Sequence, residues 1–117
     1  MANVTTNKVL AKAVTYADTS STSLGFLPAN AYIDYINVNV DQGFDEAIID
    51  IGDGTTANKY ANDVDVETSD TAATVTLTNC GAVESTENPT EIKYIVVPTS
   101  TTLTEGSCTI TVGYVQL

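Results

Sequence analysis

The chain has 117 residues, 43% of them hydrophobic, and carries 15 carboxylates against four lysines, for a net charge of −11. This length fits one domain. The charge disfavours binding of nucleic acid or anionic lipid, which proteins contact mainly through cationic side chains. Without histidine or arginine, the chain lacks the commonest general base and the side chain that grips phosphate through two hydrogen bonds. We therefore expect a protein that is not an enzyme and needs no cofactor.

The first half of the chain shows the alternation of apolar and polar residues that is typical of β-strands. Residues 8–16 (KVLAKAVTY) predict a first strand, and the polar residues 17–30 predict a loop. Residues 31–41 (AYIDYINVNVD) predict the longest strand, in which Ile33 and Tyr35 fall on the outward face. Apolar residues thus occupy both faces of this strand.

Five further segments continue the pattern. Residues 46–52, 60–67, 72–78, 91–98 and 108–117 each alternate in the same way and are separated by turn residues. No segment has a helical period. The sequence therefore predicts an all-β fold: a single antiparallel β-sandwich or jelly-roll-like domain over residues 1–117, with about seven to eight strands.

Several of these strands carry apolar residues on the face that a lone sandwich would leave to solvent. Ile95 and Val97 oppose the inward residues of segment 91–98, and Val115 and Leu117 do so in segment 108–117. One explanation is burial against another subunit, because solvated sheet faces are normally polar. The other is that these are strand ends or scattered surface residues, which are common.

The acidic loop region is the strongest candidate for chemistry. Asp50, Asp53, Asn58, Asn62 and Asp63 surround a glycine-rich turn and offer the oxygen ligands that calcium prefers, although the spacing of an EF-hand is absent. Carboxylate pairs could also serve a glycosidase, but the sequence has no tryptophan to stack on a sugar. A solvated acidic loop is the simpler interpretation, and we predict no metal.

Two cysteines, Cys80 and Cys108, leave open a disulfide or two free thiols. The N-terminus has neither the basic nor the apolar region of a secretory signal, and no apolar run is long enough to cross a membrane. We therefore expect synthesis in a cytoplasm, which favours free thiols. Two cysteines without histidine fall short of the four cysteine or histidine ligands that a structural zinc site uses.

Part of the chain resembles small structural proteins of tailed bacteriophages. The similarity begins with residues 27–33 (LPANAYI), where an LPA loop leads into an alternating strand. It continues through an aromatic turn at 43–45 (GFD), an apolar strand ending in glycine at 48–52 (IIDIG), Tyr60, and the acidic strand 63–66 (DVDV). Such proteins look like capsid decoration or cement subunits, which are all-β and often trimeric.

The resemblance implies a virion protein that decorates and stabilises the outer surface of a capsid. It would bind between subunits of the major capsid protein, with itself as a homotrimer, after synthesis in the host cytoplasm. Its N-terminal segment would either stay with the domain or extend onto a neighbouring subunit. The candidate interface residues are Leu27, Pro28, Tyr32, Ile33, Tyr35, Ile95, Val97, Val115 and Leu117.

Two other functions fit the sequence. A head-fibre or tail-associated β-sandwich could bind host glycans, with Phe44 and Tyr60 as exposed aromatic anchors in loops. A tail-tube subunit is the third possibility, and it would assemble into rings or tubes.

Overall fold

A computed structural model describes residues 6–67, 71–74, 83, 85–99 and 103–117. These residues form strands and connecting turns, with no helix among them. The strands are β1 (Thr6–Thr15), β2 (Thr22–Leu27), β3 (Ala31–Gln42), β4 (Ala47–Gly52), β5 (Ala61–Asp65), β6 (Thr71–Thr74), β7 (Thr90–Pro98) and β8 (Ser107–Gln116). The predicted all-β class is confirmed.

The eight strands form two antiparallel sheets of four, with strand orders β1-β8-β3-β6 and β2-β7-β4-β5. The first strand pairs with the last, β2 with β7, β3 with β6, and β4 with β5. The pairs β3–β8 and β4–β7 then join these hairpin-like pairs within each sheet. The chain is thus a long hairpin rolled into a sandwich, which confirms the predicted β-sandwich.

The core lies between the two sheets and is built from alternate residues of each strand. In β8, Cys108, Ile110 and Val112 face inward, and in β4 Ala47 and Ile49 do so. This alternation follows from the two-residue period of a strand. The largest fully buried side chains are Tyr60, Tyr94, Phe44, Leu27, Ile36 and Ile49.

Strand β2 lies inside the segment that the sequence predicts as a loop, residues 17–30, so that prediction is wrong for its second half. Leu24 and Leu27 are buried in the core, and β2 pairs with β7. The register shifts between Ser23 and Gly25, where the glycine has a φ of 135°. A bulge of this kind adds a residue and breaks the alternation, so two inward leucines come three positions apart.

Strand β3 contains a similar shift, which reverses the predicted orientation of Ile33. The register moves between Ile33 and Tyr35, so Ile33 faces the core while Tyr35 faces outward. The extra residue at the shift is Asp34, which is exposed. Strict alternation places Ile33 and Tyr35 on one face of the sheet. That prediction is wrong for Ile33, because the extra residue at the bulge exchanges the inward and outward positions on its two sides.

The predicted strand 72–78 is only partly covered by the structure. Strand β6 comprises Thr71–Thr74, whereas residues 75–78 lie outside the described residues, as does Cys80. Cys108 is a buried free cysteine.

The connections gather at the two ends of the sandwich because the strands are antiparallel. At one end, which we call the loop end, the strands β1, β3, β5 and β7 finish. Tyr16 donates its N–H to the Gly106 carbonyl there at 3.0 Å, and Thr99 donates to Glu46 at 2.9 Å. At the other end, the terminal end, β1 begins, β8 finishes, and the turns after β2 and β4 lie.

Candidate subunit interfaces

Four of the predicted interface residues lie together at one place on the outside of the sandwich. Tyr32 is opposite Val115 in the β3–β8 pair, and Tyr35 is opposite Gly113. Leu117 follows β8 and donates its N–H to the Asn30 carbonyl at 2.8 Å, beside the start of β3. We call Tyr32, Tyr35, Val115 and Leu117 the tyrosine face.

The tyrosine face contains both buried and solvent-exposed apolar side chains. Val115 is only 5% exposed, although it does not belong to the core cluster, whereas Leu117 is 69% exposed. Tyr32 and Tyr35 are half-buried. Amphipathic, rigid tyrosine side chains of this kind are enriched where proteins contact one another. The contact itself stays a prediction.

Leu27 and Ile33 lie in the core. They are 0% and 2% exposed, respectively, so neither presents surface to a partner in this structure. The reason is the two bulges described above, each of which turns an apolar residue inward. The sequence therefore selected two residues for an interface that instead pack the two sheets together.

Pro28 belongs to a short loop that ties the terminal end together. Asn30 has a φ of 59°, a left-handed conformation that asparagine tolerates better than most residues. Its N–H donates to the Ser85 carbonyl at 2.8 Å, and its carbonyl accepts the N–H of Leu117. Pro28 itself is half-buried. The LPAN segment thus holds the end of β8 and Ser85 against the start of β3.

Ile95 and Val97 lie on the outer face of the other sheet. Val97 is opposite Ile48, and Ile95 is opposite Asp50. Both predicted residues are half-buried. They are thus separated from the tyrosine face by the full thickness of the sandwich, and the structure does not bring the two groups into one site.

Three exposed large apolar residues were not predicted as interface residues. Val9 in β1 is 55% exposed, Phe26 in β2 is 57% exposed, and Tyr16 directly after β1 is also exposed. The alternation along β1 could have identified Val9 as an outward residue, because the next residue, Leu10, packs against the core. Phe26 had no such signal, because residues 17–30 read as a loop.

These residues share one flank of the molecule. β1 and β2 are edge strands of their respective sheets. They face each other, since a Cβ built on Gly25 would lie 3.1 Å from Leu10 Cδ2. We call β1, Tyr16 and β2 the β1–β2 flank. The opposite flank contains the edge strand β5, which with the following Val66 and Glu67 we call the β5 edge.

Positive charge is unevenly placed on this acidic chain. Lys59 Nζ lies 3.3 Å from Asp53, and Lys93 Nζ lies 3.6 Å from Glu91. The remaining lysines, Lys8 and Lys12, are both exposed on β1.

The acidic loop between β4 and β5 uses its carboxylates for its own backbone. Asp53 Oδ1 accepts N–H bonds from Thr55 and Thr56 at 2.9 and 2.7 Å, and Lys59 contacts Oδ2. These bonds, led by the Thr56 N–H, lower the pKa of Asp53 from its ordinary value. Asp50 accepts the N–H of Asp63 at 2.9 Å.

Metal binding therefore gains no support from this loop. Its candidate oxygens are committed to turn and ion-pair contacts, and Asn58 donates to Asn62 at 3.1 Å. Across the described part of the chain, no group of three or more acidic or cysteine side chains is arranged to hold a metal.

Two buried titratable groups, Cys108 and Tyr94, are held in their neutral forms. Burial raises the pKa of Cys108 to about 12, with Asp41 and Asp18 adding to the effect. Burial also raises the pKa of Tyr94, whose hydroxyl donates to Asp18 Oδ2 at 2.9 Å. Neither group is activated as a nucleophile or a base, because both resist ionisation at neutral pH.

The two aromatic anchors suggested for a glycan site are in the core. Tyr60 is fully buried and Phe44 is nearly so. Their prediction as exposed loop residues is wrong, because both rings pack between the sheets.

In the described part of the chain, no helix has the length and apolar character that crossing a bilayer would take. No protein-family model and no curated protein matches the sequence. A chain of the cyanophage Pam1 capsid asymmetric unit is similar in structure, with a TM-score of 0.74 and 21% identity over 97% of this chain and 86% of that chain. A chain of the Ralstonia phage GP4 capsid has a TM-score of 0.58 and 18% identity over 100% of this chain and 87% of that chain. The resemblance to phage structural proteins is thereby confirmed at the level of the fold.

Proposed function

We propose that this chain is a structural protein of a phage virion, which decorates the outer surface of the capsid and stabilises it. The observation that carries the proposal is the fold shared with a chain of the Pam1 capsid, which covers nearly the full length of both chains. A similarity of this extent leaves little of either chain outside the shared domain.

The strand order supports the same proposal. β1 pairs with β8, β2 with β7, β3 with β6 and β4 with β5, a pairing that is compatible with an eight-stranded jelly roll. Jelly rolls recur in viral capsid domains, although lectins and cupins also use them. Fold alone does not fix function, so the surface must supply the rest.

The surface of the molecule suits a role in protein contacts. The tyrosine face presents open apolar area at Leu117 beside two half-buried tyrosines, at an end of the sandwich that the Asn30 hydrogen bonds hold in place. Tyr94 and Cys108, whose pKa values are raised, are buried and un-ionised, so neither supplies a nucleophile or a base for catalysis. We propose that the partners are the major capsid protein and further copies of this chain, in a homotrimer.

Binding to capsids that lack this protein tests the proposal directly. The purified chain should sediment with such capsids and raise their melting temperature. Leu117→Glu should weaken this binding, because it places a charge on the tyrosine face. Thr19→Glu is the matched control, since it adds the same charge in an exposed turn at the loop end. A chain that neither sediments with capsids nor changes their melting would contradict the proposal.

A further inference from the structure

The two flanks of the sandwich differ in charge and in apolar exposure. β1 carries Lys8 and Lys12 and no carboxylate, although the whole chain has only four lysines. Both side chains are exposed, and neither forms an ion pair with another described residue. The β1–β2 flank is therefore a positively charged area on a molecule of net charge −11.

The same flank holds most of the exposed large apolar residues. Val9, Tyr16 and Phe26 are three of the four such residues among those described. Val9 is next to Leu10, which packs against the core, and Phe26 is next to the buried Leu27, so these two side chains border the edge on opposite outer faces of the sandwich. Lys8 and Lys12 share the side of Leu10, so charged and apolar side chains alternate along this edge. β1 is also ten residues long, pairs with β8 without a register shift, and forms one edge of its sheet.

The β5 edge on the opposite flank has the complementary character. Asp63, Asp65 and Glu67 are exposed, and Val64 between them is partly buried. Neither β5 nor the two residues that follow it contain a lysine. The φ of 56° at Asp63 bends this strand, so its backbone is poorly shaped for adding another strand. A partner would therefore meet it mainly through side chains.

We propose that copies of this chain associate head to tail, with the β1–β2 flank of one copy docked on the β5 edge of the next. Between two copies of net charge −11, most orientations bring like charges together. This orientation instead places lysines opposite carboxylates. The contact joins two different surfaces, so repeating it closes a ring when the rotation between copies divides a full turn.

The two kinds of side chain have separate roles in this contact. Exposed ion pairs are individually weak, so Val9, Tyr16 and Phe26 supply most of the affinity when they leave water. The lysines and carboxylates select the orientation and disfavour other pairings. The inference stands on the charges and the exposed residues and does not depend on binding to a capsid.

Charge reversal on the full-length protein tests this contact, with the mass in solution measured by light scattering and sedimentation velocity. Lys8→Glu with Lys12→Glu should raise the concentration needed for assembly at least tenfold. Asp65→Lys with Glu67→Lys should do the same. These two variants shift the net charge in opposite directions, so a loss of assembly in both is not a net-charge effect.

The variant with all four changes has the net charge of the wild type and reversed charges on both surfaces. It should assemble within a few fold of the wild type, and this recovery also shows that the changed chains fold. Phe26→Ser should weaken assembly without changing any charge.

The proposal is overturned if the wild type is a monomer at all accessible concentrations, or if the fourfold variant assembles no better than the double variants. A monomer that still binds capsids would overturn this inference and the proposed homotrimer, but not the proposed role on the capsid. A ring that ignores capsids would overturn only the proposed function.

Discussion

The ring of Tyr35 lies directly over Gly113 on the outer face of the β1-β8-β3-β6 sheet. The two residues are register partners in β3 and β8, and a Cβ built on Gly113 would overlap the ring. Glycine normally weakens a strand because it has no side chain to cover the backbone. An aromatic residue at the paired position of the neighbouring strand compensates by covering that backbone with its ring. Gly113 is buried for this reason, although it faces away from the core.

Gly113→Ala should therefore destabilise the protein by about 1–3 kcal/mol, the usual cost of overpacking. Urea denaturation followed by fluorescence measures this change in the free energy of unfolding. Gly54→Ala is the control, because a Cβ at Gly54 meets no atom within 4 Å. In a Tyr35→Ala background the effect of Gly113→Ala should shrink. An equal effect in both backgrounds would mean that the ring is not the cause.

Truncation of two adjacent residues of β2 should change the free energy of unfolding by very different amounts. Leu27→Ala should lower the free energy of unfolding by about 2–5 kcal/mol, because the side chain is fully buried in the core. Phe26→Ala should change it by less than about 0.5 kcal/mol, because the ring is mostly exposed. If residues 22–27 formed a solvated loop, both substitutions would have small effects, so thermal denaturation of the two variants checks the strand.

The carboxyl group of Asp45 should titrate below its ordinary value of 3.8. The Thr104 N–H is the main cause and the Thr104 hydroxyl the second, both at 2.8 Å from Asp45 Oδ2. Since the folded pKa is depressed, this contact stabilises the fold above the unfolded pKa. The contribution is lost as the pH falls through the folded pKa, below 3.8.

Carbon-13 NMR of the side-chain carboxyls gives the pKa of Asp45 directly. Thr104→Val removes the hydroxyl but keeps the N–H, so the pKa should rise part of the way towards its ordinary value. Asp53, whose pKa is lowered by Thr56 in another loop, should not move and provides the control. An Asp45 pKa at or above 3.8 in the wild type would contradict the hydrogen bonds to Thr104.

Cys108 should be inert to thiol reagents in the folded protein. Its pKa of about 12 leaves almost no thiolate at pH 8, and the side chain is buried in the core. In a Cys80→Ser variant, Ellman's reagent should detect about one thiol only after denaturant is added. Rapid labelling without denaturant would show that the sheet opens around β8.

The sequence predicted the fold class well, because most strands alternate cleanly and the turns are marked by glycine, proline and polar residues. Two of its errors share one physical source. At Ile33 and in β2 a single extra residue shifts the phase of alternation, and a two-residue period cannot reveal where such a residue lies. Val115 follows the predicted alternation because β8 pairs with β1 without a register shift, whereas the shift between Ile33 and Tyr35 brings Tyr32 and Tyr35 to the same face.

The β1–β2 flank could not be identified from the sequence. Its components, Lys8, Val9, Tyr16 and Phe26, come from two segments, one of which read as a loop. Only the antiparallel closure of both sheets places these two edge strands side by side. The alternation of apolar and polar residues along the sequence does not show which strands become neighbours in the folded protein, so it cannot predict a surface that two strands form together.

The position of β8 between β1 and β3 determines when this protein can acquire its structure during synthesis. The strand is encoded last of the eight, yet it is central in its sheet and hydrogen-bonded on both sides. Until residues 107–116 have left the ribosome, the strand that lies between β1 and β3 and pairs with both of them is missing. Folding must then bring together segments about a hundred residues apart, which is slow for non-local β pairing. A nascent chain stalled before this point would present unpaired apolar strands, and we expect it to be a substrate for chaperones rather than a partly working domain.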